Sequence, residues 1–341
     1  MGKRSYLIVI ATIWAAILAA GPVQAQLVIG HRGAAGERPE HTLAAYDQAI
    51  NDLADYIEPD LEPTKDGFLV ARHEDEITNT TDVSRHPEFA RRKKTRVIDG
   101  ETATGWFTED FTLAELRTLR AKEPLPEVRP ASARFDGLFQ IPTFAEIAQL
   151  VRARGAETGR LIGLYPEIKH PAYYQTRGFD VAAMLLAALK AEGLDTPGSP
   201  IFIQCFEVGT LKRVHAATAL PLVQLVESKG GPHDLPGTTF AGMMTPAGLK
   251  EIATYAAAIG VDARLVIGTD GKPTSLVADA HAAGLKVHVW TLRRENRYLP
   301  VPLRRGTDPN APGDFATAWR ILKAAGVDGV FTDNPASVPR P

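Results

Sequence analysis

Short apolar runs, several of them β-branched and hydrophobic throughout, alternate along this chain with segments of helical periodicity. A strand with no polar face must be covered on both sides, and a parallel sheet with helical crossovers provides that cover. Strands are predicted over 27–29, 56–61, 68–72, 161–168, 201–206, 222–226, 287–291 and 329–332, and helices over 42–52, 143–154, 180–192, 208–217, 247–258, 275–283 and 315–325. Gly193, Gly260, Gly284 and Gly326 stand after four of these helical patterns, where a left-handed terminating residue is wanted. Eight strands with intervening helices predict a closed α/β barrel of the (β/α)8 TIM type, with a doubly wound open sheet as the alternative.

One junction departs from that repeat. The second and third predicted strands are joined only by Pro63-Thr64-Lys65-Asp66-Gly67, too short for a crossover helix. The segment 79–140, polar and rich in Pro, Arg and Thr with one helix over 113–119, reads as a subdomain inserted between the third strand and the following helix. Placed over the barrel mouth, a loop of that length is expected to serve function.

The N-terminus reads as an export leader. Lys3 and Arg4 precede an uncharged apolar run over 6–20, and Val23-Gln24-Ala25 offers small residues for cleavage after Ala25. The run is shorter than the roughly 20 residues that a membrane span needs, so the expected product is a periplasmic or secreted domain over 26–341 without a stable membrane anchor. Cys205 is the single cysteine, which excludes an internal disulfide and leaves stability to the core. A net charge of -2 argues against a nucleic-acid partner, which would need a basic face. The basic run Arg91-Arg92-Lys93-Lys94 reads as a solvated loop.

Chemistry-bearing residues fall at the ends of predicted strands. His31 follows Leu27-Val28-Ile29-Gly30, and His73 follows Phe68-Leu69-Val70-Ala71-Arg72. Each alone could be a structural hydrogen-bonder, whereas together they supply proton-transfer groups suited to neutral pH. Glu58 and Asp60, two apart on a strand, can aim carboxylates at one point, and a cation is a direct way to keep both ionised. The alternative is a solvated loop pair around Pro59. Glu167 and Lys169 repeat the spacing later, either as a surface ion pair or as a third carboxylate with a phosphate-binding cation beside Arg32. All-oxygen ligation favours calcium or magnesium over zinc. Gln204, Phe206 and Trp290 are candidates for a substrate pocket, Phe206 and Trp290 with core packing as the alternative; His288 is expected in packing and Asp333-Asn334-Pro335 as a turn.

Taken in order, His31-Arg32-Gly33-Ala34, Pro39-Glu40-His41-Thr42, Glu58-x-Asp60-Leu61, Thr64-Lys65-Asp66-Gly67, His73, Tyr165-Pro166-Glu167-Ile168-Lys169, Gln204-Cys205-Phe206 and Gly329-Val330-Phe331-Thr332-Asp333 resemble the motifs of the glycerophosphodiester phosphodiesterases. The larger periplasmic class, with a subdomain after the second histidine, is the nearer match. The resemblance implies a barrel enzyme that hydrolyses glycerophosphodiesters to sn-glycerol 3-phosphate and an alcohol. It further implies a metal held by Glu58, Asp60 and Glu167, an acid/base pair of His31 and His73, and phosphate contacts from Arg32 and Lys169. It places calcium ahead of magnesium. Two residues depart from the pattern: Pro59 between the metal ligands, and Glu74 where many members carry aspartate. A phosphodiesterase acting on lysophospholipids, or an exported protein that binds phosphodiesters without turnover, are the alternatives.

Overall fold

The computed structural model describes residues 26–339; the predicted leader and its cleavage point after Ala25 lie outside the described residues. Eight parallel barrel strands run in the order β1 (Leu27–His31), β2 (Tyr56–Glu58 continuing as Asp60–Pro63), β3 (Gly163–Leu164 continuing as Glu167–Ile168), β4 (Ile203–Cys205), β5 (Leu222–Val226), β6 (Ala258–Asp262), β7 (Lys286–Leu292) and β8 (Gly329–Thr332). Each pairs with the next, and β8 returns to β1 with Gly329 opposite Leu27 and Thr332 opposite Gly30. The sheet is therefore closed, and the open-sheet alternative is excluded.

Proline explains the two broken strands. Pro59 and Pro166 carry no N–H for the ladder, and each marks the break in its strand. Pairing resumes across the breaks, with Tyr165 N–H donating to Ile57 O at 2.9 Å and Glu167 N–H to Pro59 O at 2.9 Å.

Two predicted elements are corrected. The segment 68–72 is no barrel strand: Leu69–Ala71 runs antiparallel to the second half of β2, with Leu61 opposite Ala71 and Pro63 opposite Leu69. Its short connection is a hairpin, so the inserted segment follows this hairpin and precedes the second barrel helix. The missing barrel strand is β6. Its Ala258-Ile259-Gly260 start continues an alanine-rich helical pattern, in which Gly260 reads as a helix end. Gly260 instead lies inside β6, where an added Cβ would meet Leu225 Cδ2 at 2.6 Å, so close approach rather than turning requires glycine there. Gly193, Gly284 and Gly326 do carry positive φ, at 70°, 86° and 84°.

Seven helices cover the barrel, α1 (Leu43–Asn51), α2 (Phe144–Thr158), α3 (Val181–Ala191), α4 (Val208–His215), α5 (Pro246–Ile252), α6 (Leu276–Ala282) and α7 (Phe315–Ala324). Local sequence starts them: Thr42 accepts from Ala45 N–H, and Thr143 with Glu146 closes a capping box. The barrel interior is filled by Ile29, Tyr165, Phe202, Val223, Ala258 and Phe331. Tyr165 lies edge-on to Phe331 at 4.8 Å between centroids, and its hydroxyl shares a hydrogen bond of 2.6 Å with His288 Nδ1. Burial pushes the His288 pKa down to about 4, so this ring is a neutral packing element, as expected.

Beyond the hairpin strand, the inserted segment forms a two-stranded antiparallel ribbon, Lys94–Ile98 with Glu101–Gly105. Ile77, Val83, Phe89, Trp106, Phe111, Leu116 and Leu119 build an apolar cluster there with Val70 and Ile141. The basic run is not wholly solvated, because Arg92 pairs with Glu115 at 2.5 Å and lies 5.0 Å from the Phe89 and Phe111 ring centroids. Lys94 reaches Asp110 at 2.9 Å.

Candidate active site

Strand register brings the expected residues together at the C-terminal ends of the strands, where barrels of this type carry their chemistry. His31 lies opposite Glu58, Asp60 opposite Glu167, and Glu167 opposite Gln204. His31, Arg32, Glu58, Asp60, His73, Glu167, Lys169, Gln204, Phe206 and Trp290 all line one cavity of about 940 Å3.

Glu58, Asp60 and Glu167 are buried, and each offers an oxygen within 4.8 Å of the others. Glu58 accepts from Arg32 N–H at 2.8 Å and from Gln204 Nε2 at 3.0 Å. Asp60 Oδ2 accepts from His41 Nε2 at 2.9 Å, while its Oδ1 is buried without a partner. Glu167 has Lys169 Nζ at 3.2 Å. Burial, then the charges of Asp60 and Glu167, pushes Glu58 well above the usual carboxylate range. Burial and Asp60 carry Glu167 up to about 8 against the opposing Lys169. Asp60 is held low despite burial, by Lys169 and the His41 hydrogen bond. A buried trio that resists full ionisation, with an orphaned oxygen among its members, fits a hard divalent cation. Buried carboxylates with one amide and no thiolate suit calcium or magnesium.

The histidines share one arrangement. His31 is 8% exposed, and its Nδ1–H donates to Asp333 Oδ1 at 2.5 Å. They meet because Asp333 directly follows β8, which pairs with β1. Asp333 Oδ2 accepts from Arg293 Nε at 2.6 Å and from Arg129. These cations and His31 overcome burial and hold Asp333 well below its ordinary range. Burial pushes the His31 pKa down to about 4; Asp333 opposes the shift and Arg32 adds to it. The neutral ring thus keeps its proton on Nδ1 and faces the cavity with the Nε2 lone pair. His73, beyond the hairpin strand, donates from Nδ1 to Glu74 Oε1 at 2.6 Å. Burial, then Arg32 and Lys169, lowers His73 to about 4, and the His73 hydrogen bond brings Glu74 down to about 2. Glu74, the departure noted in sequence, therefore still holds the second histidine.

Arg32 adopts a left-handed φ of 56° and is followed by Gly33 at 86°. A Cβ at Gly33 would lie 2.5 Å from the Ala45 backbone, so glycine permits the sharp turn against α1. That turn aims Arg32 Nη1 at Glu40 Oε2, 2.9 Å away, and brings Nε to 3.6 Å from Asp60 Oδ2. Burial opposes its charge, but Glu40 and Asp60 outweigh that cost and keep the guanidinium ionised. Trp290 lies edge-on to Phe206 at 5.9 Å, with its indole N–H on Gly260 O at 3.0 Å.

Several supporting residues escaped sequence reasoning. His41 is fully buried, accepts from Tyr46 O–H at 2.8 Å through Nδ1, and orients Asp60 through Nε2. Asp333, expected as a turn residue, anchors His31. Their motifs were visible, Pro39-Glu40-His41-Thr42 and Thr332-Asp333, but nothing in the spacing of either shows which side chain it meets.

The model of the glycerophosphoryl diester phosphodiesterase family matches residues 31–337. The chain belongs to that family. A glycerophosphodiester phosphodiesterase of Arabidopsis thaliana is 35% identical over 91% of this chain and 84% of its own length. One from Haemophilus influenzae is 30% identical over 91% and 88%. Among solved structures, an Oleispira antarctica phosphodiesterase in complex with the product sn-glycerol-3-phosphate has a TM-score of 0.60 at 20% identity, covering 92% of this chain and 94% of that one. A glycerophosphodiester phosphodiesterase from Agrobacterium tumefaciens has a TM-score of 0.57 at 18% identity, covering 92% and 98%. The glycerophosphodiester phosphodiesterases are generally metal-dependent, and this chain has a cluster of three buried carboxylates. No helix among the described residues is long and apolar enough to cross a membrane.

Proposed function

We propose that this enzyme, exported after removal of its 1–25 leader, hydrolyses glycerophosphodiesters to sn-glycerol 3-phosphate and an alcohol with the help of a divalent cation, calcium ahead of magnesium. The observation that carries this reading is the convergence of three buried carboxylates and two carboxylate-anchored imidazoles on one cavity. Glu58, Asp60 and Glu167 would hold the cation, which when bound polarises a phosphate oxygen. His31, neutral and presenting Nε2, takes the proton of the attacking hydroxyl. His73, whose pKa burial lowers first and Arg32 and Lys169 lower further, delivers a proton to the departing alkoxide once a bound phosphodiester anion offsets those two charges. Arg32 and Lys169 face the charge that grows on phosphorus in the transition state. Phe206 and Trp290 offer an apolar corner to the glycerol carbons.

A coupled assay for glycerol 3-phosphate, run on glycerophosphocholine, glycerophosphoethanolamine and a lysophospholipid with calcium present, tests the reading. Turnover of the first two is expected. Preference for the lysophospholipid would favour the lipid-directed alternative, and binding without product release would favour a capture protein.

A further inference from the structure

Asp333 holds more positive charge than one carboxylate needs. Arg293, from the β7–α7 connection, already donates to its Oδ2 at 2.6 Å. A second guanidinium, from Arg129, meets the same oxygen, and this residue belongs to the inserted segment rather than to the barrel. Arg129 stands just before the short helix Pro130–Ala133 and is 5% exposed. Its Nη1 also donates to Ala35 O at 3.3 Å, in the turn that follows His31 and Arg32. Its other charged neighbours are Glu40, Glu123 and Glu295, the last 4.0 Å from its Nε.

Burying a guanidinium is costly unless it is well paired, and Arg293 alone would leave Asp333 neutralised. The geometry supplies a reason for the second arginine. With Oδ2 pinned from two directions, the carboxylate cannot rotate, and Oδ1 stays turned to His31 Nδ1. We propose that Arg129 is a positioning residue for proton transfer at His31, so that the inserted segment forms part of the catalytic support as well as the cavity wall. The proposal rests on the reading of His31 as the base. Arg129 acts on the orientation of Asp333 and hence on which imidazole nitrogen carries the proton, as partners outside a ligand or catalytic set commonly do.

The test is a double-mutant cycle on the full chain with glycerophosphocholine and saturating calcium, combining Arg129→Ala with His31→Ala. Arg129→Ala is expected to lower kcat by roughly 10- to 100-fold with KM little changed. Millimolar guanidinium chloride should restore part of that loss. In the His31→Ala background the same substitution should add no further loss. Equal losses in both backgrounds, or a raised KM with kcat intact, would overturn the proposal. Wild-type turnover in His31→Ala alone would overturn the base reading and the proposal with it. Arg129→Gln, which keeps more of the buried side chain, enters the same cycle if the alanine variant does not fold, and is held to the same outcomes.

Discussion

His31→Ala lowers kcat by on the order of 100- to 10,000-fold and leaves the thermal unfolding midpoint close to that of the wild type. The rate effect follows from the position of Nε2, the nitrogen of a buried, neutral imidazole that opens on the cavity and has only a long contact, 3.5 Å, to Thr291 Oγ1. The small stability effect follows from the ring's place on the cavity wall, outside the apolar clusters. His31→Gln is the sharper comparison, since it keeps a polar side chain of similar reach but accepts no proton at neutral pH. Steady-state kinetics with glycerol 3-phosphate as the measured product check this, and near-normal turnover in either variant would remove His31 from the reaction.

Glu58→Gln and Asp60→Asn weaken calcium binding by more than about 100-fold, because loss of a partner outside the ligand set already costs roughly 10- to 100-fold. Isothermal titration of metal-free protein reads this directly. The same variants move stability in opposite directions. In the metal-free enzyme the Glu58 pKa lies above its unfolded value, pushed up by burial and by Asp60 and Glu167. The folded state therefore binds more protons than the unfolded state, and stability falls as pH rises from the ordinary carboxylate range toward the folded pKa. Glu58→Gln removes that loss, so metal-free Glu58→Gln unfolds at a higher temperature than metal-free wild type at neutral pH. Asp60→Asn strips the buried His41 of its charged partner and loses stability. Unchanged calcium affinity in both variants would show that the trio is not the metal site.

How far the sequence shows this site depends on whether a residue's partner lies near it along the chain. Glu58 with Asp60, and Glu167 with Lys169, announce themselves by the two-residue spacing that puts side chains on one face. The motifs in which they sit also carry the family resemblance. Asp333 sits 302 residues from His31, and only the closure of β8 on β1 brings the two together. Arg129 is hidden further, since a polar insertion offers no periodicity to say which arginine turns inward. The fold followed the same division. Short, largely apolar strands such as β5 are plain in the sequence, while β6 is hidden because its alanines continue a helical pattern. The hairpin strand Leu69–Ala71 has the composition of a barrel strand, and only its five-residue connection marks it as something else.

The three carboxylates are expected to hold a cation that the reaction needs. Glycerol 3-phosphate release from glycerophosphocholine by enzyme stripped with chelator, and then reloaded with calcium, measures that need most directly. The stripped enzyme should lose nearly all activity and the reloaded enzyme regain it, while Glu58→Gln fails to recover at the same calcium concentration. Full activity in the stripped enzyme would contradict the account.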